Sequence, residues 1–337
     1  MMAAVIDSPL RRASGSLFGL AYGDALGRPT EFLTVAEIHR RYGPTGPREL
    51  VGDPVLVTDD TQMALAVAWA LREAPTLTPE AVEPLLRRRF LDWAVSPENN
   101  RAPGMTCLRA CAELSRGVRW QEATQADSKG CGANMRVTPV GLLDVDVDTL
   151  AGLAQLQAGL THGHPTGLAA SDLTAYAVRL LRDGVAPADL PALLIDRTHE
   201  QERTYHGDWL GDLWRRSGAD SPQKFVARGW DECRRVLHRL VTALSQPDDG
   251  GDPCRHTGEG WVAEEALATS LYCALRHADD PVAALARGAT TAGDSDSIAA
   301  LAGAFVGAAT GMAAWPAAWA TRIEYADQLT ALATPWD

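Results

Sequence analysis

The stretch Gly15-Ser16-Leu17-Phe18-Gly19-Leu20-Ala21-Tyr22-Gly23-Asp24-Ala25-Leu26-Gly27 sets a glycine at every fourth position of an otherwise mostly apolar run. A step of four keeps those glycines on one face of a helix. Each costs about 1 kcal/mol of helix propensity relative to alanine, so the row needs a compensating contact, and close approach of a second backbone supplies one. A matching row lies near the other end of the chain, where Gly303, Gly307 and Gly311 recur within the apolar stretch Ile298 to Trp315. The two rows predict helices packed closely inside a soluble core, which would bring the Asp24 to Glu31 segment near the residues that precede Ile298. In a membrane the same spacing would suggest helix dimerisation, but this stretch is built mostly from Ala and Gly and falls short of the roughly 20 residues a spanning helix needs.

The preceding residues are Ala292-Gly293-Asp294-Ser295-Asp296-Ser297. Asp294 and Asp296 alternate, so an extended or turning backbone aims both carboxylates to one side, with hydroxyls between them and a helix start behind. Such a group suits a hard cation, which needs several oxygen ligands, more than this stretch alone supplies. A second oxygen-rich stretch, Thr58-Asp59-Asp60-Thr61, also stands just ahead of an apolar helix, Met63 to Leu71. Taken singly, each reads as an ordinary N-cap favoured by the helix dipole. Capping alone gives no reason to place two mutually repelling carboxylates where one suffices, and a shared metal site is the expectation.

Composition bounds the class. The 337 residues are 46% hydrophobic and 22% charged, as in a folded globular chain, and the formal net charge of −12 argues against a protein whose main task is gripping a nucleic-acid backbone. Cysteines stand at 107, 111, 131, 233, 254 and 273 without Cys-x-x-Cys or zinc-like spacing, so a reduced, cytoplasmic chain is the simplest account. Met1 to Arg12 lacks the apolar core of a signal peptide.

Apolar residues recur at helical spacing over 65–71, 82–93, 150–160, 168–181, 225–244, 262–275 and 282–289, whereas Glu49 to Val57 is the sole weak strand candidate. No repeat unit and no long linker divides the chain, and Gln246 to Pro253 reads as a surface loop. Helical periodicity without a dividing linker gives the expectation of a single, mostly helical domain.

Three further segments could carry chemistry. Asp127-Ser128-Lys129-Gly130-Cys131-Gly132-Ala133-Asn134-Met135-Arg136 places two glycines before an expected helix, where a turn's backbone amides can cradle a phosphate. Cys131 has no identifiable partner base and reads as a small buried thiol. Thr161-His162-Gly163-His164-Pro165 lacks the further ligands of a zinc site, so hydrogen bonding to substrate is preferred. Arg101-Ala102-Pro103-Gly104-Met105-Thr106 opens a helix with no distinctive chemistry of its own.

Taken in order, Gly23-Asp24-Ala25-Leu26-Gly27 with Glu31, Thr58-Asp59-Asp60-Thr61, Gly130-Cys131-Gly132 through Met135-Arg136, Thr161-His162 and Gly293-Asp294-Ser295-Asp296-Ser297 resemble the ADP-ribosylglycohydrolase family from about Ser14 to Gly311. The resemblance implies an all-α chain, a single compact orthogonal helical domain over 10–335 preceded by a tail over 1–9, with two Mg²⁺ ions, or Mn²⁺ in some members, in a bimetallic site at the base of a cleft. It implies Thr58, Asp59, Asp60, Asp294, Asp296 and Ser297 as metal ligands, with Asp296 bridging. Glu31 matches a flexible glutamate near the reacting ribose, and Gly104 and Thr106 a loop beside it. Ser128, Lys129, Gly130, Cys131 and Gly132 would cradle the diphosphate, Met135 belongs to the same segment, and His162 would contact the ligand. The family's frequent Gly-Gly-Asp-Thr-Asp-Thr becomes Ala292-Gly293-Asp294-Ser295-Asp296-Ser297 here, which keeps the ligand hydroxyl. Cys131 stands where many members carry asparagine, and Asn134 where they carry a small residue.

A bimetallic carboxylate site can hold a ribose diol and lower the pKa of a bound water for attack at the anomeric carbon. Asp59 or Asp60 would take the water's proton, Glu31 would position substrate or assist proton transfer, and ADP-ribose would leave the modified side chain. Arginine is the default acceptor; serine, a nucleobase or a small molecule are the alternatives, so nucleic acid would be a partner only if ADP-ribosylated. A two-metal phosphohydrolase and a non-catalytic ADP-ribose-binding protein are the competing classes, and a monomer without membrane contact is the default state.

Overall fold

A computed structural model describes residues 10–337; the tail expected over 1–9 lies outside the described residues. The chain is all-helical. Its first half runs through α1 (Arg12–Gly27), α2 (Val35–Tyr42), α3 (Asp59–Glu73), α4 (Pro79–Ala94), α5 (Met105–Leu114), α6 (Trp120–Ala123), α7 (Thr138–Gly141) and α8 (Val147–Gly159). The second half adds α9 (Pro165–Arg182), α10 (Leu190–Gln201), α11 (Gly207–Leu210), α12 (Pro222–Ser245), α13 (Cys254–Thr257), α14 (Ala263–Arg276), α15 (Pro281–Gly288), α16 (Ser295–Thr310) and α17 (Ala326–Ala333). Among the described residues no helix is long and apolar enough to cross a membrane.

The two glycine rows meet. α1 is buried from Ala13 to Gly27 and makes its most extensive packing with α16. The helices run antiparallel, and each glycine of one faces backbone of the other. A Cβ on Gly15 would stand 2.6 Å from the Gly307 carbonyl oxygen, one on Gly19 2.3 Å from that of Gly303, one on Gly23 2.0 Å from that of Ala299, and one on Gly27 2.4 Å from the Asp296 Cα. Ser16 Oγ donates to the Ala304 carbonyl at 2.9 Å, which satisfies a hydroxyl within the seam. α16 also packs on α14, α15 and α9, so the α1–α16 pair forms the axis of the core.

Three local expectations change. Glu49 to Val57 forms no strand: its one ladder contact is an isolated parallel bridge from Val55 to Ile323, with Val55 N–H bonded to Arg322 and Glu324 N–H to Val55. With no continuing partner, backbone pairing stops after one rung. The helix expected after the Gly130-Cys131-Gly132 turn is only a 3₁₀ turn over Cys131–Ala133, so no long helix dipole stands behind that loop. The apolar helix ends at Thr310, because Gly311 turns the chain at φ 82°.

Replacing Gly23 by alanine should force the backbones apart and cost about 2 kcal/mol or more. Gly167→Ala is the contrast, since a Cβ there meets nothing nearer than 3.7 Å within α9, and should be neutral or stabilising. Thermal and urea unfolding of the two variants checks this, and equal losses would refute the seam.

Candidate active site

The C-terminal end of α1, the N-terminal ends of α3 and α16 and the loop before α5 converge on a cavity of about 380 Å³. The seam accounts for the convergence, because antiparallel packing sets the last turn of α1 against the first turn of α16. Ser295 secures that junction: its Oγ donates to the Gly27 carbonyl at 3.1 Å and accepts from Thr30 Oγ1 at 3.1 Å. The loop ahead of α16 is held from behind, with Thr291 Oγ1 donating to Asp252 at 2.6 Å and Asp294 N–H to the Glu259 carbonyl at 2.8 Å.

Capping of α3 falls to groups other than its paired aspartates. Asp24, fully buried in α1, accepts from Thr58 N–H at 3.0 Å, Thr61 N–H at 3.1 Å and Thr61 Oγ1 at 2.5 Å. Thr58 Oγ1 accepts from Asp60 N–H at 3.3 Å. Asp59 and Asp60 are thus free to face the cavity. Asp59 Oδ2 accepts from Gly104 N–H at 3.0 Å, so the Arg101 to Thr106 loop, chemically plain in sequence, orients a site carboxylate. Asp60 Oδ1 is buried without any hydrogen-bond partner. At α16, Asp294 caps and Asp296 Oδ1 accepts from Ser297 N–H at 3.0 Å.

Glu31, Asp59, Asp60, Asp294 and Asp296 line the cavity, and no lysine or arginine stands among the described lining residues. Burial, reinforced by the mutual repulsion of the carboxylates, pushes Glu31 up to about 9 and Asp60 and Asp294 well above the ordinary carboxylate range. Burial likewise raises Asp59 and Asp24 to about 7, although both accept hydrogen bonds that oppose the shift. A concentration of buried carboxyl groups with no cationic side chain beside them, around an orphaned carboxylate oxygen, fits a cation-binding role, with the Thr58 and Ser297 hydroxyls as further hard donors. Among the described residues, no three His, Cys, Asp or Glu side chains already form a tight metal cage.

The glycine loop lines the same cavity. Cys131 N–H donates to the Trp261 carbonyl at 3.0 Å, which ties the loop to the segment entering α14. Gly130, Cys131, Gly132, Met135, Gly104, Thr106, His162 and Ser297 line the cavity with the carboxylates. Ser128 and Thr58 stand just outside the lining, and Ser128 Oγ is 3.0 Å from Thr106 Oγ1. Lys129 also stays outside: its ammonium is held by Glu232 at 2.9 Å and by Glu264. His162 is buried and neutral, drawn down to about 3 by burial and by Arg136, whereas His164 turns away and accepts from Thr166 N–H at 3.2 Å at the start of α9. A larger cavity of about 500 Å³, between the start of α1 and the end of α9, contains none of the residues singled out in the sequence.

The sequence profile of one family, described as ADP-ribosylglycohydrolase, matches residues 6–335. This chain belongs to the ADP-ribosylglycohydrolase family. It is 35% identical over 170 residues to the ADP-ribosyl-(dinitrogen reductase) glycohydrolase of Rhodospirillum rubrum, over 47% of this chain and 54% of that one. It is 27% identical over 212 residues to the ADP-ribosylarginine hydrolase Tri1 of Serratia proteamaculans, over 58% of this chain and 56% of that one. The chain spans about half the length of the curated relatives it matches at highest identity. A solved structure titled ADP-ribosylglycohydrolase-related protein complex shares the fold at TM-score 0.65 and 24% identity, with 97% of each chain covered.

In this member of the family several site-forming residues escape the sequence reading. Asp24 stands in the sequence as part of the glycine row, and its capping of α3 depends on contacts 34 and 37 residues away. Phe32 and Trp261 line the cavity mouth and stack with ring centroids 5.8 Å apart. Nothing local in either segment signals that pairing.

Because folding raises these carboxyl pKa values, the chelator-treated protein binds more protons folded than unfolded above about pH 4, so its stability falls as pH rises. Asp60→Asn should therefore melt several degrees above wild type at pH 8, the gap closing towards pH 5. Thermal melts in chelator across that range test this, and a variant less stable than wild type at pH 8 would contradict it.

Proposed function

We propose that this chain hydrolyses the glycosidic bond between ADP-ribose and a modified acceptor and releases ADP-ribose. The observation that carries the reading is the convergence of five buried or half-buried carboxylates, a glycine loop and a buried histidine on one cavity. Family membership and the names of the relatives support the same chemistry. Arginine is the acceptor we favour, because one relative is named for that linkage. We propose that the chain works as a cytoplasmic monomer on ADP-ribosylated protein or small-molecule substrates.

Thr58, Asp59, Asp60, Asp294, Asp296 and Ser297 would hold two Mg²⁺, or Mn²⁺, ions. Bound there, the ions supply Lewis-acid polarisation of ribose oxygens and a water of lowered pKa. Asp59 or Asp60 takes the attacking water's proton, and the unpartnered Asp60 Oδ1 has a free lone pair for it. Glu31, on the turn after α1, positions the ribose or assists proton transfer to the departing group. The carboxylate wall offsets positive charge that develops at the anomeric carbon. Gly130 to Gly132 leave room for a diphosphate to approach backbone, and His162 offers a hydrogen bond beside them.

The test is release of free ADP-ribose from arginine-, serine- and DNA-linked substrates with and without Mg²⁺, beside Asp296→Asn. Metal-dependent release from one substrate, abolished in the variant, is expected. AMP and ribose phosphate as products would move the reading to a phosphohydrolase, and binding without release to a sensor. Two further outcomes are expected. Mg²⁺ should raise the melting temperature of wild type but not of Asp296→Asn, and Glu31→Gln should lower kcat by roughly 10²- to 10⁴-fold with metal binding intact.

A further inference from the structure

Arg136 is wholly buried, yet among the described residues no carboxylate pairs with it. Its Nε donates to Gln157 Oε1 at 2.8 Å, and one terminal nitrogen donates to the Gln157 carbonyl at 2.7 Å and to Thr161 Oγ1 at 2.8 Å. The other terminal nitrogen lies 3.4 Å from Met63 Sδ and 3.5 Å from Cys107 Sγ, and the guanidinium sits 4.2 Å from the centre of the Phe90 ring. A buried cation held only by neutral groups is costly, so a specific task for it is worth seeking.

The hydrogen bonds define that task. Guanidinium nitrogens only donate, so Thr161 Oγ1 accepts from Arg136 and has a single proton left to give. Three acceptors are near: His162 Nδ1 at 2.8 Å, the Ala158 carbonyl at 3.5 Å, at the limit of a hydrogen bond, and Cys107 Sγ, a weak acceptor. The proton goes to Nδ1. A neutral imidazole that accepts at Nδ1 carries its own hydrogen on Nε2. That nitrogen faces the glycine loop, where a Cβ on either Gly130 or Gly132 would stand 3.4 Å from it.

We propose that Arg136, acting through Thr161, is a positioning residue that fixes His162 as the neutral Nε2–H tautomer, a donor aimed across the Gly130 to Gly132 loop at an oxygen of the bound ligand. Arginine keeps its proton throughout the ordinary pH range, so the direction of the relay does not reverse. The nearby positive charge also opposes a second proton on His162, in keeping with the depression already noted. His162 is then a hydrogen-bond donor to phosphate or ribose oxygen, and its Nδ1 lone pair is unavailable as a general base. The identity of the ligand rests on the proposed function; the tautomer does not.

The two are separable by ¹⁵N–¹H NMR of histidine-labelled protein, with the His162 resonances assigned by their loss in His162→Gln. In the free wild-type protein at pH 7, an unprotonated Nδ1 and a protonated Nε2 are expected; an Nδ1–H tautomer or an imidazolium would overturn the proposal. Thr161→Val should give a mixture of tautomers and Thr161→Ser should restore one, whereas an unchanged Nε2–H signal in Thr161→Val would refute the relay. Arg136→Lys keeps a charged donor and should hold the tautomer better than Arg136→Met; equal spectra from folded samples of both would remove Arg136 from the relay. If Arg136→Met does not fold, Arg136→Lys with a wild-type fold and a wild-type His162 signal supports the relay, and a lost Nε2–H signal in it refutes the charge-and-donor account. Added ADP-ribose should shift the Nε2 resonance, and a tautomer that holds without any such shift would overturn the donor role while leaving the relay standing.

Discussion

Backbone contact between α1 and α16 is the constraint on which the rest of the structure depends. Two helices that touch through glycine can lie closer than side chains would allow, and at that distance their positions along the axis are fixed by interlocking carbonyls rather than by adaptable side-chain packing. The consequence reaches the site. Gly27 rests on the Asp296 backbone, so the turn carrying Glu31 and the first turn of α16 cannot drift apart without opening the whole seam.

That rigidity holds together groups that repel. The carboxylates around the cavity are raised in pKa by burial and by one another, although Asp59 and Asp294 each accept a backbone hydrogen bond. Ordinary helix-capping would neutralise part of the stress, yet at α3 the donors are taken by Asp24 and Thr58, which leaves Asp60 with an unpartnered oxygen. A site kept under electrostatic stress by an otherwise well-packed core is characteristic of function set against stability. Arg136 shows the same economy behind the glycine loop, where a buried cation is held by neutral groups beside the histidine that faces that loop.

Much of this was legible in the residues. Periodic apolar positions located the long helices, and the repeated glycine spacing anticipated the α1–α16 contact. The aspartate stretches could be picked out because two adjacent like charges exceed what a cap requires. Other features resisted reading for identifiable reasons. Glu49 to Val57 has strand-like composition, but a strand needs a partner and the fold provides a single rung. Lys129 has the right charge and place in the chain for a phosphate ligand, yet Glu232 and Glu264, distant in sequence, hold it outside the cavity lining.

The sequence by itself determined the helical class, the glycine seam and the set of oxygen-bearing side chains, because periodicity, propensity and like-charge spacing are local properties of neighbouring residues. Only the tertiary structure decided which carboxylates cap and which face the cavity, that Phe32 stacks on Trp261, and that Arg136 reaches His162 through Thr161. Those outcomes turn on which donor meets which acceptor across tens or hundreds of residues. Hydrogen bonds and charge pairs act over a few ångströms, so their partners are settled only once the chain has packed.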